Sequence, residues 1–190
     1  MKRMKIQVLL VAIASFAPVV GAYLLYYYGD LSALPRVQNE DRLLVNPAVP
    51  LPPPPGADGA EGLPEWGPEW SLLYVRTSDC DETCREHLVR LAQVHAALGR
   101  DQDRIRRMYI GPDGDELRSS DSTFSARSIA GSSAEALLDT LAAAAAEPGD
   151  GGRVYVVDPH GNLVLSYPPD AEQRGLLEDL ERLLDVSRIG

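Results

Sequence analysis

The two cysteines of this 190-residue chain, Cys80 and Cys84, lie four residues apart in the stretch Trp70 to Leu98, WSLLYVRTSDCDETCREHLVRLAQVHAAL. Two thiols at that spacing can hold a soft metal ion or exchange electrons as a dithiol and a disulfide. One pair cannot make a disulfide framework, although an oxidising compartment can close it into a single bridge. Three histidines complete the set of soft donors. His87 follows Cys84 by three residues, on roughly the same side of a helix and one turn along, which makes it the candidate third ligand. His95 stands on the apolar side of that helix, ~16 Å from Cys84, and reads as a partly buried helix residue. His160 falls in a turn and reads as solvated. Asp79, Asp81 and Glu82 crowd the same loop. Their charges raise a thiol pKa, whereas a helix N-terminus lowers it. A general thiol–disulfide catalyst favours a low pKa, so these surroundings suit a cation better.

The elements that must position this pair are set by periodicity and punctuation. Ser71 to Val75 is a short apolar run, read as a buried strand. Thr83-Cys84-Arg85-Glu86 has the form of a capping box, which predicts Thr83 as N-cap and Cys84 as the first helical residue. The helix runs through Leu88, Leu91, Val94 and Leu98 to Gly99. Arg104 to Ile110 reads as a second strand, Asp115 to Thr123 as loop or short helix, and Phe124 to Ile129 as extended. A capping box at Ser132 opens an alanine-rich helix that ends by Pro148. Arg153 to Asp158 and Asn162 to Tyr167 form a hairpin over Asp158-Pro159-His160-Gly161. Asp170 caps a last amphipathic helix through Leu176, Leu177, Leu180, Leu183 and Leu184, with Asp179, Glu181, Arg182 and Asp185 on its wet face. Tyr155 and Tyr167 read as packed strand residues. This order describes an α/β, thioredoxin-like sandwich of about 125 residues, over 66–190.

Ahead of it, Lys2, Arg3 and Lys5 precede an uncharged stretch from Ile6 to Tyr28. Its 23 residues suffice to cross a hydrocarbon core of ~30 Å, and Tyr26 to Tyr28 form an aromatic belt. Residues 1–28 therefore read as a cytoplasmic flank and an uncleaved single transmembrane helix. The chain after Tyr28 is expected on the outer side of the inner membrane, in a bacterium the periplasm. Residues 29–65, rich in proline, read as an extended linker. The net charge of −10 leaves no basic stripe for phosphates and excludes nucleic acid as a partner. Gly111 to Gly114 is no phosphate loop, since no Gly-Lys-Ser/Thr comes after it.

The WSLLYV run, the C-x-x-x-C loop entering a helix, the VVDPHGNLVLSY hairpin and the anchor together resemble the Sco family. The likeness spans about Trp70 to Leu184 and extends to small proteobacterial relatives ending in S-R-I-G. It implies a membrane-anchored, thioredoxin-like protein that handles copper for cytochrome c oxidase, with a subunit of that oxidase or other periplasmic assembly factors as partner. Two departures stand out. Arg85 replaces the proline that usually comes after the second cysteine. No histidine lies between Glu147 and Asp158, and Asp150 occupies the place of the family's third copper ligand. Two thiolates hold Cu(I) unaided, whereas Cu(II) prefers added nitrogen or oxygen ligands. The expectation is Cu(I) binding by Cys80 and Cys84, with His87 as substitute ligand, and weak or no Cu(II) binding. Two other readings stay open: a periplasmic thiol–disulfide oxidoreductase with a wider clientele, and a non-catalytic interaction module.

Overall fold

The computed structural model describes residues 43–55, 66–117 and 122–187. The helix expected over Ile6–Tyr28 lies outside them. Among the described residues no helix is long and apolar enough to cross a membrane.

One mixed sheet organises the domain. Its strands are β1 (Leu43–Pro50), β2 (Trp70–Val75), β3 (Ile105–Gly111), β4 (Phe124–Ser128), β5 (Arg153–Val157) and β6 (Asn162–Tyr167), in the order β1-β6-β5-β2-β3-β4. β2, β3 and β4 run parallel, while β5 and β6 are an antiparallel hairpin. The helices are α1 (Glu82–Ala97), α2 (Ser132–Ala144) and α3 (Gln173–Val186), and a 3-10 turn over Gly99–Arg104 links α1 to β3.

Strand alternation sorts the core into two layers. Leu72, Tyr74, Tyr109, Val156 and Tyr167 face Leu91, Val94, Leu180 and Leu184 of α1 and α3. Leu73, Val75, Met108, Ile110, Tyr155 and Val157 face Leu137 and Leu141 of α2. Every residue of β2 is buried, because both faces of this central strand are covered.

The structure departs from the expectations of the sequence at four points. β1 lies inside the stretch assigned to the linker and pairs with β6, so residues 43–50 belong to the sheet. Val45 and Leu51 enter the core layer packed on α2, beside Trp66, which gives this proline-rich segment the apolar burial that its composition argued against. Asp81, not Thr83, is the N-cap of α1. α2 and α3 begin after Gly131 and Glu172, without side-chain caps from Ser132 or Asp170. Asp179 is not on the wet face: it is buried and accepts a hydrogen bond from Tyr167 Oη at 2.8 Å.

The registers fix which loops meet. β2 leaves the sheet at Val75, opposite Ile110 of β3 and Arg153 of β5, and Val154 lies beside Tyr167 of β6. The loop after β2, the turn after β3, the loop before β5 and the segment after β6 therefore share one end of the sheet. The β5–β6 turn, with His160, lies at the other end, beside Ser71.

Candidate functional site at the cysteine end of the sheet

Cys80 and Cys84 are joined in a disulfide, with Cα atoms 5.2 Å apart. Cys80 closes the loop after β2 and Cys84 sits in the first turn of α1. Both sulfur-bearing residues belong to the core layer under α1; Cys80 is 6% exposed and Cys84 fully buried.

Each cysteine gives its backbone N–H to a carboxylate. Cys84 N donates to Asp81 Oδ1 at 2.8 Å, the bond from N3 to an N-cap side chain. With Asp81 as cap, Cys84 is the third helical residue, and the Thr83–Glu86 box does not form. The choice is made by a residue that sequence reading passed over. Arg76, the first after β2 and only 4% exposed, holds Asp81 through Nη1 at 2.7 Å and Nη2 at 3.3 Å, and Ser78 Oγ at 3.0 Å. The guanidinium, with the Cys84 N–H behind it, lowers the Asp81 carboxyl to about 2. In turn the Asp81 hydrogen bond raises Arg76.

On the other side, Cys80 N donates to Asp113 Oδ2 at 3.0 Å, and Tyr109 Oη donates to Asp113 Oδ1 at 2.8 Å. Burial, reinforced by Asp113, pushes the Tyr109 phenol upward. Asp113 stands on the Gly111–Gly114 turn, which composition marked only as a turn.

His87 is drawn into a second tyrosine contact. Tyr74 Oη lies 3.1 Å from His87 Nδ1 and donates to Gly151 O at 3.0 Å. A phenol has one proton, so both contacts hold together only if His87 Nδ1 carries a hydrogen and donates it to Tyr74. That tautomer leaves the lone pair on Nε2. Burial, with Arg90 and Arg76 adding to it, lowers His87 from the usual histidine range. Burial also raises Tyr74.

Asp150 comes to this same end. Its Oδ1 accepts from Thr77 Oγ1 at 3.1 Å and its carbonyl from Ser78 Oγ at 3.1 Å. An open cleft results, lined by Arg76, Ser78, Asp81, His87, Asp150 and Asp170 among others. The other two histidines are elsewhere. His95 is buried with Nε2 at 2.9 Å from Gln102 O and 2.8 Å from Ile105 O, tying the end of α1 to β3. His160 is exposed in the hairpin turn. Among the described residues, no three His, Cys, Asp or Glu side chains are grouped to hold a metal ion.

Residues 70–187 match the family model described as a transmembrane-like, thioredoxin-like, C-terminal domain. No curated protein matches the chain. Among solved structures, the apo Sco1 protein from Thermus thermophilus superposes with a TM-score of 0.51 at 21% identity, over 74% of this chain and 94% of that one. A DsbF homologue from Corynebacterium diphtheriae matches with a TM-score of 0.47 at 15% identity, over 80% and 96% of the two chains. ScoI from Bradyrhizobium japonicum with copper bound matches with a TM-score of 0.40 at 14% identity, over 60% and 84%. The Thermus likeness shows a common thioredoxin-like fold, as the element order and the Sco resemblance imply.

Proposed function

The chain belongs to the transmembrane-like, thioredoxin-like C-terminal domain family, and on that premise we propose that it serves the assembly of the copper site of cytochrome c oxidase. It does so by carrying Cu(I), by reducing a partner's disulfide to thiols, or by both, through Cys80 and Cys84. The observation that carries this reading is the single disulfide at the turn from β2 into α1.

Reduction of the bridge presents two soft sulfur donors on one turn, a set suited to Cu(I) as cargo. His87 is the proposed third donor through Nε2, the nitrogen that its contact with Tyr74 leaves free. Asp150 stands in the place of the family's histidine with its Oδ1 engaged by Thr77, and no imidazole nitrogen is supplied there, so Cu(II) is held weakly or not at all. An anchor over residues 6–28 would keep the domain at the outer face of the inner membrane, in the periplasm. Its partner there is an oxidase subunit or another assembly factor.

The disulfide itself favours a redox role alongside the metal one. In the reductive direction the reduced pair attacks a partner disulfide. One cysteine thiolate joins a partner sulfur in a mixed disulfide and the other partner sulfur leaves as a thiolate. The second cysteine then closes the Cys80–Cys84 bridge and frees the partner's remaining thiol. The near-complete burial of both cysteines restricts that exchange to a partner fitting this end of the sheet, which argues against a wide clientele.

In cells, Cys80→Ser and Cys84→Ser should each lower the copper content and activity of the oxidase. Wild-type oxidase in both variants would contradict the proposal and favour a non-catalytic interaction module.

A further inference from the structure

The turn after β3 is built so that one side chain cannot drift. Gly114 N donates to Gly111 O at 3.1 Å, Glu116 N to Asp113 O at 2.9 Å, and Ile129 N to Gly111 O at 3.0 Å. A Cβ at Gly111 would collide with the Tyr109 hydroxyl, and one at Gly114 with the Arg127 carbonyl. The turn therefore admits only glycine at both positions and presents Asp113 at its corner. Both oxygens of Asp113 are used, one by Cys80 N and one by Tyr109 Oη. Cys80 Sγ is three covalent bonds from that N, so a carboxylate charge sits within one residue's reach of the sulfur. Asp81, the corresponding carboxylate at Cys84, is compensated by a guanidinium; Asp113 is met by a neutral phenol. Because burial and Asp113 both favour the protonated phenol, Tyr109 remains a donor at neutral pH.

We infer that Asp113 is a positioning residue of the Cys80–Cys84 couple: it pins the Cys80 backbone and, by its charge, favours the disulfide over the reduced pair, with Tyr109 moderating that charge. The inference rests on the reading that the pair changes redox state in function. Reduction to the nucleophilic form, one thiol and one thiolate, puts a negative sulfur beside a fixed negative charge. Removing the charge favours reduction, and removing the phenol that disperses it opposes reduction. A merely structural role would give two variants that lose stability together, with no opposed shift in potential.

The test is the equilibrium of the full-length chain with glutathione, at a pH where the reduced pair holds a thiolate: two glutathione thiols are oxidised to one glutathione disulfide as the bridge opens to one thiol and one thiolate and a proton is released. Asp113→Asn keeps an oxygen for Cys80 N–H and should raise the equilibrium constant for reduction about tenfold, or about 30 mV. Tyr109→Phe should lower it about threefold. In the Asp113→Asn background the Tyr109 effect should vanish. Backbone hydrogen exchange at Cys80 should quicken in Asp113→Ala and not in Asp113→Asn. Shifts of the same sign in the two single variants, or none beyond twofold, would overturn the inference. The measurement involves neither copper nor a client, so that failure would leave the assembly role to be judged on the oxidase.

Discussion

Cys84 and Cys80 are each held by a carboxylate, and the partners of the two carboxylates differ in charge. On the Cys84 side, the carboxylate of Asp81 accepts the amide and is gripped by the buried Arg76. On the Cys80 side, the carboxylate of Asp113 accepts the amide and meets only the Tyr109 hydroxyl. The first arrangement is an ion pair that also starts a helix; the second is a neutral donor on a carboxylate in a tight turn. The difference separates two tasks at one disulfide. The Arg76 side fixes where α1 begins and thus where Cys84 points, whereas the Asp113 side leaves a charge free to act on the pair.

The largest effect should come from wedging the Arg76 side apart. Gly152 has φ +79, and a Cβ there would lie 2.5 Å from Tyr74 Cε2 and 2.6 Å from Arg76 Cγ. Gly152→Ala should cost about 2–3 kcal/mol by urea unfolding, since the backbone is strained and two buried side chains must move. An unchanged midpoint would show that Arg76 is not held as described.

Acid should distinguish the two sides next. The Asp81 carboxyl lies lower in the fold, at about 2, than in the unfolded chain, where it titrates near 3.8. Its contribution to stability is therefore complete above about pH 5 and is lost as the pH falls through 3.8 toward 2. The urea midpoint should decline over that window, and Asp81→Asn should flatten the decline. An equal slope in Asp81→Asn would show that the ion pair adds nothing to this end of the sheet.

Smaller effects are expected at the tyrosine that links β2 to His87. Tyr74→Phe should cost about 1 kcal/mol, as the bonds to Gly151 and His87 are lost from a buried position. His87 should titrate below the usual 6.5 when monitored by NMR, and should stay low in Tyr74→Phe because burial is its main cause. The unfolded chain binds the proton at a higher pH than the fold does, so this histidine's share of stability falls as the pH drops below about 6.5. A normal His87 midpoint would place the ring in solvent.

The sequence carried the frame of this site and lost its supports, for physical reasons. The apolar run at 71–75, the hairpin with its Asp-Pro-His-Gly turn and the leucine spacing of the last helix are local patterns, and each marks an element that the structure contains. The cysteine pair at a strand-to-helix turn was legible in the same way. β1 was hidden because proline content signals an extended chain and says nothing of a neighbouring strand to pair with. Asp113 was hidden because its role is non-local: it is 33 residues from Cys80 and meets it only through the parallel register of β2 and β3. Arg76 was hidden for another reason: its partners Ser78 and Asp81 are near in sequence, but an arginine ending an apolar run carries no sign that it is buried against them. The capping box at Thr83 was a sound local pattern displaced by Asp81, one place before the helix, once Arg76 held it there. Asp179 shows the same limit of periodicity, since this charged residue of an amphipathic helix faces inward, where it accepts a hydrogen bond from Tyr167.

Copper handling by the two cysteines is decided by a Cu(I) competition titration of the reduced full-length chain against a strong chelator, repeated with Cys80→Ser, Cys84→Ser and His87→Ala. The reduced wild-type chain should retain one Cu(I), which either cysteine variant should lose and His87→Ala should hold more weakly. No retained copper, or retention that survives the loss of either cysteine, would contradict a Cu(I)-carrying role for the pair.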